Sequence, residues 1–301
     1  MPAVTTKFTD DDKLDLKAFE KNIAAQLEAG VSGIILGGTL GEASTLTSDE
    51  KETLIKTTLK LVMGKVPVII NIAEQSTKNA VIVAKRAEEI GANGLMLLPP
   101  MRYKATDRET VEYFKKIANS TSLPIMIYNN PVDYKIEVTL SMFEELLLLD
   151  NIQAVKESTR DISNIIRMKN KFGDRLKIFC GVDTLAFESL VNGADGWVAG
   201  LVDAYPAETV AIYHLVKADM IKEALEIYRW FMPLLELDIS PQLVQNIKLA
   251  EVATGLGTEN VRPPRLPLEG EERERVLAII NEATQNRPTL PDYKNLRFQE
   301  Q

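Results

Sequence analysis

The stretch Asn151-Ile152-Gln153-Ala154-Val155-Lys156-Glu157-Ser158 is a short, mostly apolar run that ends in a lysine. It predicts a buried strand that carries a charged amine at its C-terminal end. Lysine is rarely buried in full, and burial disfavours its ammonium form and lowers its pKa. The neutral amine is a nucleophile toward carbonyls and imines. We therefore hypothesise that Lys156 forms a Schiff base with a substrate, the alternative being a strand-end lysine that extends to solvent.

Around this stretch, short apolar runs alternate with amphipathic stretches as far as about residue 218. Such alternation predicts βα units and a parallel sheet, and right-handed crossovers repeated eight times close a (β/α)8 TIM barrel of the α/β class. A doubly wound sheet is the alternative, but no glycine-rich phosphate loop follows the first run. The eight predicted strands are Ala3–Thr6, Gly33–Gly37, Pro67–Asn71, Gly94–Leu98, Pro124–Tyr128, Ile152–Lys156, Lys177–Cys180 and Gly196–Ala199.

After residue 218 the alternation stops. Helical patterns cover Lys222–Leu235, Gln242–Thr254 and Glu271–Ala283, with a proline-rich linker at Val261–Leu268. We therefore expect residues 1–218 to form the barrel that carries the active site. Residues 219–301 are expected to form a C-terminal helical extension packed on that barrel.

The composition excludes several classes of function. The net charge of −8 argues against nucleic-acid binding, which needs clustered positive charge. No apolar run approaches the ~20 residues of a membrane span, and the first residues lack the pattern of a secretory signal, so we expect a cytoplasmic protein. Cys180 is the single cysteine and His214 the single histidine. A zinc site of His and Cys ligands therefore cannot be built within one chain, and His214 lies in a helical run without a nucleophile nearby.

In a barrel of this kind the active site lies at the C-terminal ends of the strands. The glycine-rich loop Gly37-Gly38-Thr39-Leu40-Gly41-Glu42 follows the second predicted strand, and its N–H groups could bind a carboxylate. Tyr128 and Lys156 end consecutive strands, so they should be neighbours ~5 Å apart, with the phenol placed to move protons. The other candidate substrate-binding residues at the strand ends are Asn130, Gly181, Asp183 and Gly200.

Three motifs in register resemble the signatures of the dihydrodipicolinate synthase / N-acetylneuraminate lyase family. They are Gly38-Thr39-Leu40-Gly41-Glu42, Tyr128-Asn129-Asn130-Pro131 and Val155-Lys156-Glu157. The resemblance covers essentially the whole chain. It implies a homotetramer of barrels that binds a small 2-oxo acid or cyclic imine without a cofactor or a metal. It further implies that Lys156 forms the Schiff base, Tyr128 relays protons, and Gly38, Thr39 and Leu40 hold the substrate carboxylate.

Departures from the synthase pattern distinguish the branches. Leu40 stands where the synthase branch has a second threonine. The synthase branch also has a proton-relay tyrosine after the fourth strand; the nearest positions here are Met101 and Arg102, and Tyr103 is displaced from it by one residue. Val132-Asp133-Tyr134-Lys135 contains no arginine to hold a second carboxylate. The motifs are most similar to the branch that deaminates 1-pyrroline-4-hydroxy-2-carboxylate in hydroxyproline catabolism. The alternatives are 4-hydroxy-tetrahydrodipicolinate synthase, another pyruvate-dependent aldolase (of N-acetylneuraminate or 2-keto-3-deoxy sugar acids), and an inactive binding module. The sequence leaves open whether Arg102 or Tyr103 enters a neighbouring subunit.

Overall fold

The computed structural model describes residues 1–100 and 103–296. Within them, parallel strands form a single sheet whose spatial order is the order of the chain. Helices connect successive strands, as the alternating sequence pattern predicts. The strands are β1 Ile34–Leu36, β2 Val68–Ile72, β3 Gly94–Leu97, β4 Ile125–Asn129, β5 Ile152–Glu157, β6 Lys177–Cys180 and β7 Gly196–Trp197.

The first predicted strand, Ala3–Thr6, is not confirmed as a strand. Only two isolated parallel bridges form in this region, from Pro2 to Ala199 and from Ala3 to Ile35. Proline has no N–H to donate to a ladder, and the chain beyond Ala3 turns its polar side chains into a buried network. The bridges nevertheless connect the two edges of the sheet, since Ala3 N donates to Ala199 O at 2.9 Å and Ile35 N donates to Pro2 O at 2.9 Å. The N-terminal segment thus closes the curled sheet.

The helices begin and end where the sequence provides caps. Thr47 and Glu50 form a capping box at the start of the helix Ser48–Val62, and Gly30 ends the helix Leu16–Ala29 with a φ of 98°. None of the described helices has the length and apolar character that a membrane span needs. The helices are α1 Leu16–Ala29, α2 Ser48–Val62, α3 Thr77–Ile90, α4 Asp107–Ala118, α5 Pro131–Tyr134, α6 Leu140–Leu146, α7 Ser163–Phe172, α8 Ala186–Val191, α9 Pro206–Lys217, α10 Ile221–Leu235, α11 Leu243–Ala253 and α12 Gly270–Gln285.

The three C-terminal helices, α10, α11 and α12, lie close to the predicted ranges. Apolar residues of α10 and α11, such as Phe231 and Ile247, belong to the same core cluster as the strand residues Ile127 and Val155. The C-terminal helices therefore bury apolar faces against one another and against the barrel helices α8 and α9. The division of the chain at residue 218 remains a prediction.

A buried charged network ties α11 to the glycine-rich loop. Lys248 Nζ lies 2.5 Å from Glu42 Oε1, and neither side chain is exposed to solvent. Arg262 N donates to the other carboxylate oxygen of Glu42 at 3.0 Å. A second buried pair joins Lys7 to Glu251 at 2.9 Å. Because Glu42 ends the predicted carboxylate loop, the C-terminal extension helps to fix the position of that loop.

Candidate active site

Tyr128 and Lys156 are partners in the parallel register of β4 and β5. Consecutive βα units place successive strands side by side, and both residues lie near the C-terminal ends of their strands. Their predicted adjacency is therefore confirmed. On the other side of β5, Lys156 is in register with Phe179 of β6.

The Lys156 side chain is buried, with 8% of its surface exposed. Its Nζ atom lies over the face of the Tyr128 ring, 4.2 Å from the ring centre. Burial lowers the pKa of the Lys156 amine, and the nearby Tyr134, Asp238 and Asp183 oppose that shift in part. Desolvation thus favours the neutral, nucleophilic amine that Schiff-base formation requires.

The Tyr128 hydroxyl accepts a hydrogen bond from Asn130 Nδ2 at 3.2 Å. Asn130 caps α5, because its Oδ1 accepts from Asp133 N at 3.2 Å and its Nδ2 also donates to Asp133 Oδ2 at 2.8 Å. In the described structure Asn130 therefore orients Tyr128, although the sequence suggested that it binds substrate. Burial raises the pKa of Tyr128 to about 12, so the phenol keeps its proton near neutral pH.

The glycine-rich loop turns at Gly37, whose φ of 72° suits glycine, and Asn71 Nδ2 donates to Gly37 O at 2.8 Å. Within the described residues, the backbone N–H groups of Gly38, Thr39 and Leu40 donate no hydrogen bond. Three successive N–H groups without partners are suited to an anion such as a carboxylate. The loop therefore has the donors that a carboxylate site requires.

Tyr134 connects this loop to the lysine. Its hydroxyl lies 3.1 Å from Thr39 Oγ1, and its ring packs edge-to-face on Tyr128 with 5.5 Å between ring centres. Leu40 turns inward and is buried. A continuous set of contacts thus runs from the Lys156 amine through two tyrosines to the glycine-rich loop.

Gly181 provides space for the lysine. A Cβ atom placed on Gly181 would lie 2.2 Å from Ser158 Oγ, 2.6 Å from Lys156 Cε and 2.7 Å from Lys156 Cγ. The aliphatic part of Lys156 therefore packs directly on the Gly181 backbone. Ser158 is also buried, and its hydroxyl has no hydrogen-bond partner among the described residues.

Asp183 and Gly200 lie in the segments that follow β6 and β7 and form another wall of the site. The Asp183 carboxylate accepts hydrogen bonds from Trp197 Nε1 at 2.9 Å, Gly200 N at 3.1 Å and Leu201 N at 2.9 Å. Burial raises the pKa of Asp183, and these donors oppose the rise. In the described structure Asp183 fixes the turn after β7, so any contact with substrate would have to come in addition to these three bonds.

Sequence reasoning missed the functional interest of Tyr134 and Asp238. In the sequence, Tyr134 is marked only by the lack of an arginine in its segment. Its position one helical turn beyond Asn130 is the feature that could have identified it. Asp238 belongs to a turn of 3-10 helix, Glu236–Ile239, in the C-terminal extension. Its Oδ1 would lie 2.6 Å from a Cβ atom on Gly200. No sequence motif marks Asp238.

The remaining candidates have different positions. Tyr103 is 59% exposed in the single chain, while Met101 and Arg102 lie outside the described residues. Entry of Arg102 or Tyr103 into a neighbouring subunit, like the expected tetramer, stays a prediction. His214 packs on the C-terminal segment, with Nδ1 2.9 Å from Tyr293 O. Among the described residues, no group of His, Cys, Asp and Glu side chains is arranged to hold a metal ion.

Comparison with known proteins gives consistent matches over nearly the whole chain. A family model described as "Dihydrodipicolinate synthetase family" matches residues 1–283. A 4-hydroxy-tetrahydrodipicolinate synthase of Exiguobacterium sibiricum is 34% identical over 269 residues, covering 88% of this chain and 90% of the relative. One of Alkaliphilus oremlandii is 30% identical over 278 residues, covering 91% and 94%.

Solved structures agree with these matches. The crystal structure of a dihydrodipicolinate synthase from Thermotoga maritima superposes with a TM-score of 0.88 at 29% identity, covering 94% of this chain and 97% of that chain. The chloride-inhibited dihydrodipicolinate synthase from Acinetobacter baumannii, complexed with pyruvate, gives a TM-score of 0.88 at 25% identity, covering 94% and 97%.

Proposed function

Because this chain belongs to the dihydrodipicolinate synthetase family, we propose that it is a lyase that forms a Schiff base between Lys156 and a 2-oxo acid or cyclic imine. The observation that carries the proposal is the buried Lys156 amine, 4.2 Å from the centre of the Tyr128 ring. The unpaired N–H groups of the loop from Gly38 to Leu40 support it, because they provide a binding place for the substrate carboxylate.

The proposed reaction begins with the carboxylate held by the loop and the neutral Lys156 amine attacking C2 of the 2-oxo acid. Tyr128 donates a proton to the developing hydroxyl of the carbinolamine, recovers one from the carbinolamine nitrogen, and donates it again as the hydroxyl leaves as water, which produces an iminium ion. Transfer of a proton from C3 to the Tyr128 phenolate then converts the iminium ion into an enamine. No cofactor is needed, because the protonated imine itself accepts the electron pair.

The first candidate for the complete reaction is the synthesis of 4-hydroxy-tetrahydrodipicolinate from pyruvate and aspartate semialdehyde. The names of the relatives support it, since those in Exiguobacterium sibiricum and Alkaliphilus oremlandii are 4-hydroxy-tetrahydrodipicolinate synthases. In this reaction the enamine carbon attacks the aldehyde carbon. These relatives support the synthase more directly than the deaminase that the motifs suggested.

The second candidate is the deamination of 1-pyrroline-4-hydroxy-2-carboxylate, which releases ammonia and 2-oxoglutarate semialdehyde. The specific observation in its favour is the set of side chains around Lys156. Tyr134 bonds to Thr39 in the segment where the synthase branch has an arginine, and Asp238 adds a carboxyl group to the wall. This environment suits a hydroxylated substrate better than a second carboxylate.

Trapping with borohydride tests the proposal and separates it from the inactive binding module. Wild type, Lys156→Ala and the control Lys177→Ala, an exposed lysine at the start of β6, are incubated with pyruvate and with the hydroxypyrroline carboxylate. The proposal expects a reduced adduct on Lys156 in wild type and in the control, located by peptide mass spectrometry. Absence of any adduct on Lys156 with both compounds would instead favour the binding module.

Turnover assays then distinguish the two candidate reactions. Consumption of aspartate semialdehyde that depends on pyruvate supports the synthase. Release of ammonia from the hydroxypyrroline carboxylate supports the deaminase. Whichever activity the wild type has, Lys156→Ala should lose it.

A further inference from the structure

The carboxyl group of Asp238 lies on the wall of the active site and has no hydrogen-bond or ion-pair partner among the described residues. It approaches Gly200 so closely that a Cβ atom there would lie 2.6 Å from Asp238 Oδ1 and 3.0 Å from Leu40 Cδ1. The side chain is half-buried, and none of the hydrogen bonds or ion pairs of the described residues uses its carboxyl group. A side chain that is held in place but unpaired is available to a substrate.

The other acidic groups near Lys156 are already occupied. Asp183 accepts from the indole N–H of Trp197 in β7 and from the backbone N–H groups of Gly200 and Leu201 after it. Asp133 accepts from Asn130. The groups that interact electrostatically with Asp238 are Asp183, Lys156, Asp133 and Tyr128. Of the three carboxyl groups, only that of Asp238 has no hydrogen bond within the described part of the chain.

We propose that Asp238 is a further catalytic residue, which donates a proton to the oxygen on C4 of the substrate, the carbon two bonds beyond the imine carbon. The substrate class that follows is a 2-oxo acid or cyclic imine with an oxygen at C4. The inference rests on the Schiff base proposed for Lys156. It holds for both candidate reactions, because the aldehyde carbon that joins the pyruvate enamine becomes C4 of the product.

The chemistry balances in both directions. In dehydration, the enamine nitrogen re-forms the C=N bond, the former C2=C3 electron pair forms C3=C4, and the C4–O bond breaks. The Asp238 proton joins the leaving hydroxide, and water departs. In condensation, C3 attacks the aldehyde carbon, and the same proton joins the new alkoxide. The resulting Asp238 carboxylate recovers a proton from water, so no oxidant, reductant or further reactant is required.

The electrostatics of the site agree with a proton donor. Burial, and then the Asp183 carboxylate, raise the pKa of Asp238 well above its usual range, while Lys156 opposes the shift. The competing donor is the Tyr134 hydroxyl. It is already within 3.1 Å of the Thr39 hydroxyl, and burial raises its pKa further above that of an ordinary phenol. A carboxylic acid is therefore the stronger available acid.

The test uses the mass of the trapped adduct. Wild type, Asp238→Asn and the control Glu236→Gln are incubated with 4-hydroxy-2-oxoglutarate or the hydroxypyrroline carboxylate and reduced with borohydride. Glu236 is exposed and lies in the same turn as Asp238. In wild type and the control, the reduced Lys156 adduct should be one water lighter than the reduced adduct that keeps its C4 hydroxyl, or cleaved to the pyruvate adduct. In Asp238→Asn it should keep the whole substrate with its C4 hydroxyl.

The rates give a second readout that a structural role would not produce. Asp238→Asn should still form the pyruvate adduct but lose about 10²–10⁴-fold in the C4 step, the range for one general acid. In wild type the rate of the C4 step should fall at alkaline pH, where Asp238 loses its proton. This fall should be absent in Asp238→Asn. Wild-type conversion at C4 in Asp238→Asn, or an intact C4 hydroxyl on the wild-type adduct, would overturn the inference and leave the Schiff base standing. Absence of any Lys156 adduct in wild type, with pyruvate and with the hydroxypyrroline carboxylate, would instead remove the proposed function.

Discussion

The Lys156 amine lies over the face of the Tyr128 ring, 4.2 Å from its centre, while the Tyr128 hydroxyl is held by Asn130. The ring and the hydroxyl of one residue thus have separate tasks. The ring covers the amine and helps to exclude water, whereas the hydroxyl is the group that we propose protonates the substrate oxygen. This division leads to a prediction that truncating the two parts separately can test.

Tyr128→Phe keeps the ring and removes the hydroxyl. We expect the pyruvate adduct still to form on Lys156, but its rate of formation should fall by about 10²–10⁴-fold, because the carbinolamine loses its proton donor. Tyr128→Ala should additionally make the amine more basic, since solvent would reach it. Borohydride trapping at successive times measures the rate of adduct formation and so both effects. A Tyr128→Phe variant that forms the adduct at the wild-type rate would show that another group moves the proton.

The pH dependence of adduct formation follows from the lowered pKa of Lys156, which burial causes. Only the neutral amine attacks, so the rate should rise with pH and level off below about 10.4, the pKa of an exposed lysine. Tyr128, with a pKa of about 12, remains a donor throughout that range. The trapping rate with pyruvate is measured against pH. A rate that keeps increasing with pH up to about 10.4, as it would for an exposed lysine, would contradict the effect of burial.

The Tyr128–Lys156 pair was predictable because it depends on local rules: consecutive strands of a βα sheet are neighbours, and both residues end strands. The position of Asp238 on the wall of the active site was not predictable, because it depends on how the C-terminal extension turns back over β7. The first strand is not confirmed for a related reason. An apolar run indicates burial, but it does not show how many ladder bonds the segment makes, and only two parallel bridges form here.

Gly181→Ala should impair the lysine without a change in any polar group. The new methyl would lie 2.2 Å from Ser158 Oγ and 2.6 Å from Lys156 Cε, so both side chains must move. A misplaced amine should slow adduct formation about 10²-fold, the effect of a displacement of ~1 Å. The double variant with Ser158→Ala removes the closest clash and should recover part of the rate. Equal rates in Gly181→Ala and wild type would show that Lys156 does not need this space.

The buried Glu42–Lys248 pair predicts a stability change that is separate from catalysis. Lys248→Met removes the nearer cation of the Glu42 carboxylate and leaves Arg265 at 3.9 Å. Breaking a buried pair in this way costs about 3–5 kcal/mol of unfolding free energy. Adding Glu42→Gln removes the uncompensated charge, so the double variant should be more stable than the single one. Urea unfolding measures the three proteins. An unfolding midpoint of Lys248→Met equal to that of wild type would contradict the prediction.

The same pair predicts how stability depends on pH. Burial lowers the pKa of Lys248 to about 8, whereas in the unfolded chain it returns to 10.5. Between these values the unfolded chain binds more protons than the folded one, so this lysine makes the unfolding free energy rise with pH. The slope for wild type minus the slope for Lys248→Met isolates the contribution, because other titrating groups are common to both proteins. Urea unfolding from about pH 8 to about pH 10 gives the two slopes. A difference of zero would mean that Lys248 titrates alike in both states, and a negative difference would mean that its attraction to Glu42 outweighs its desolvation.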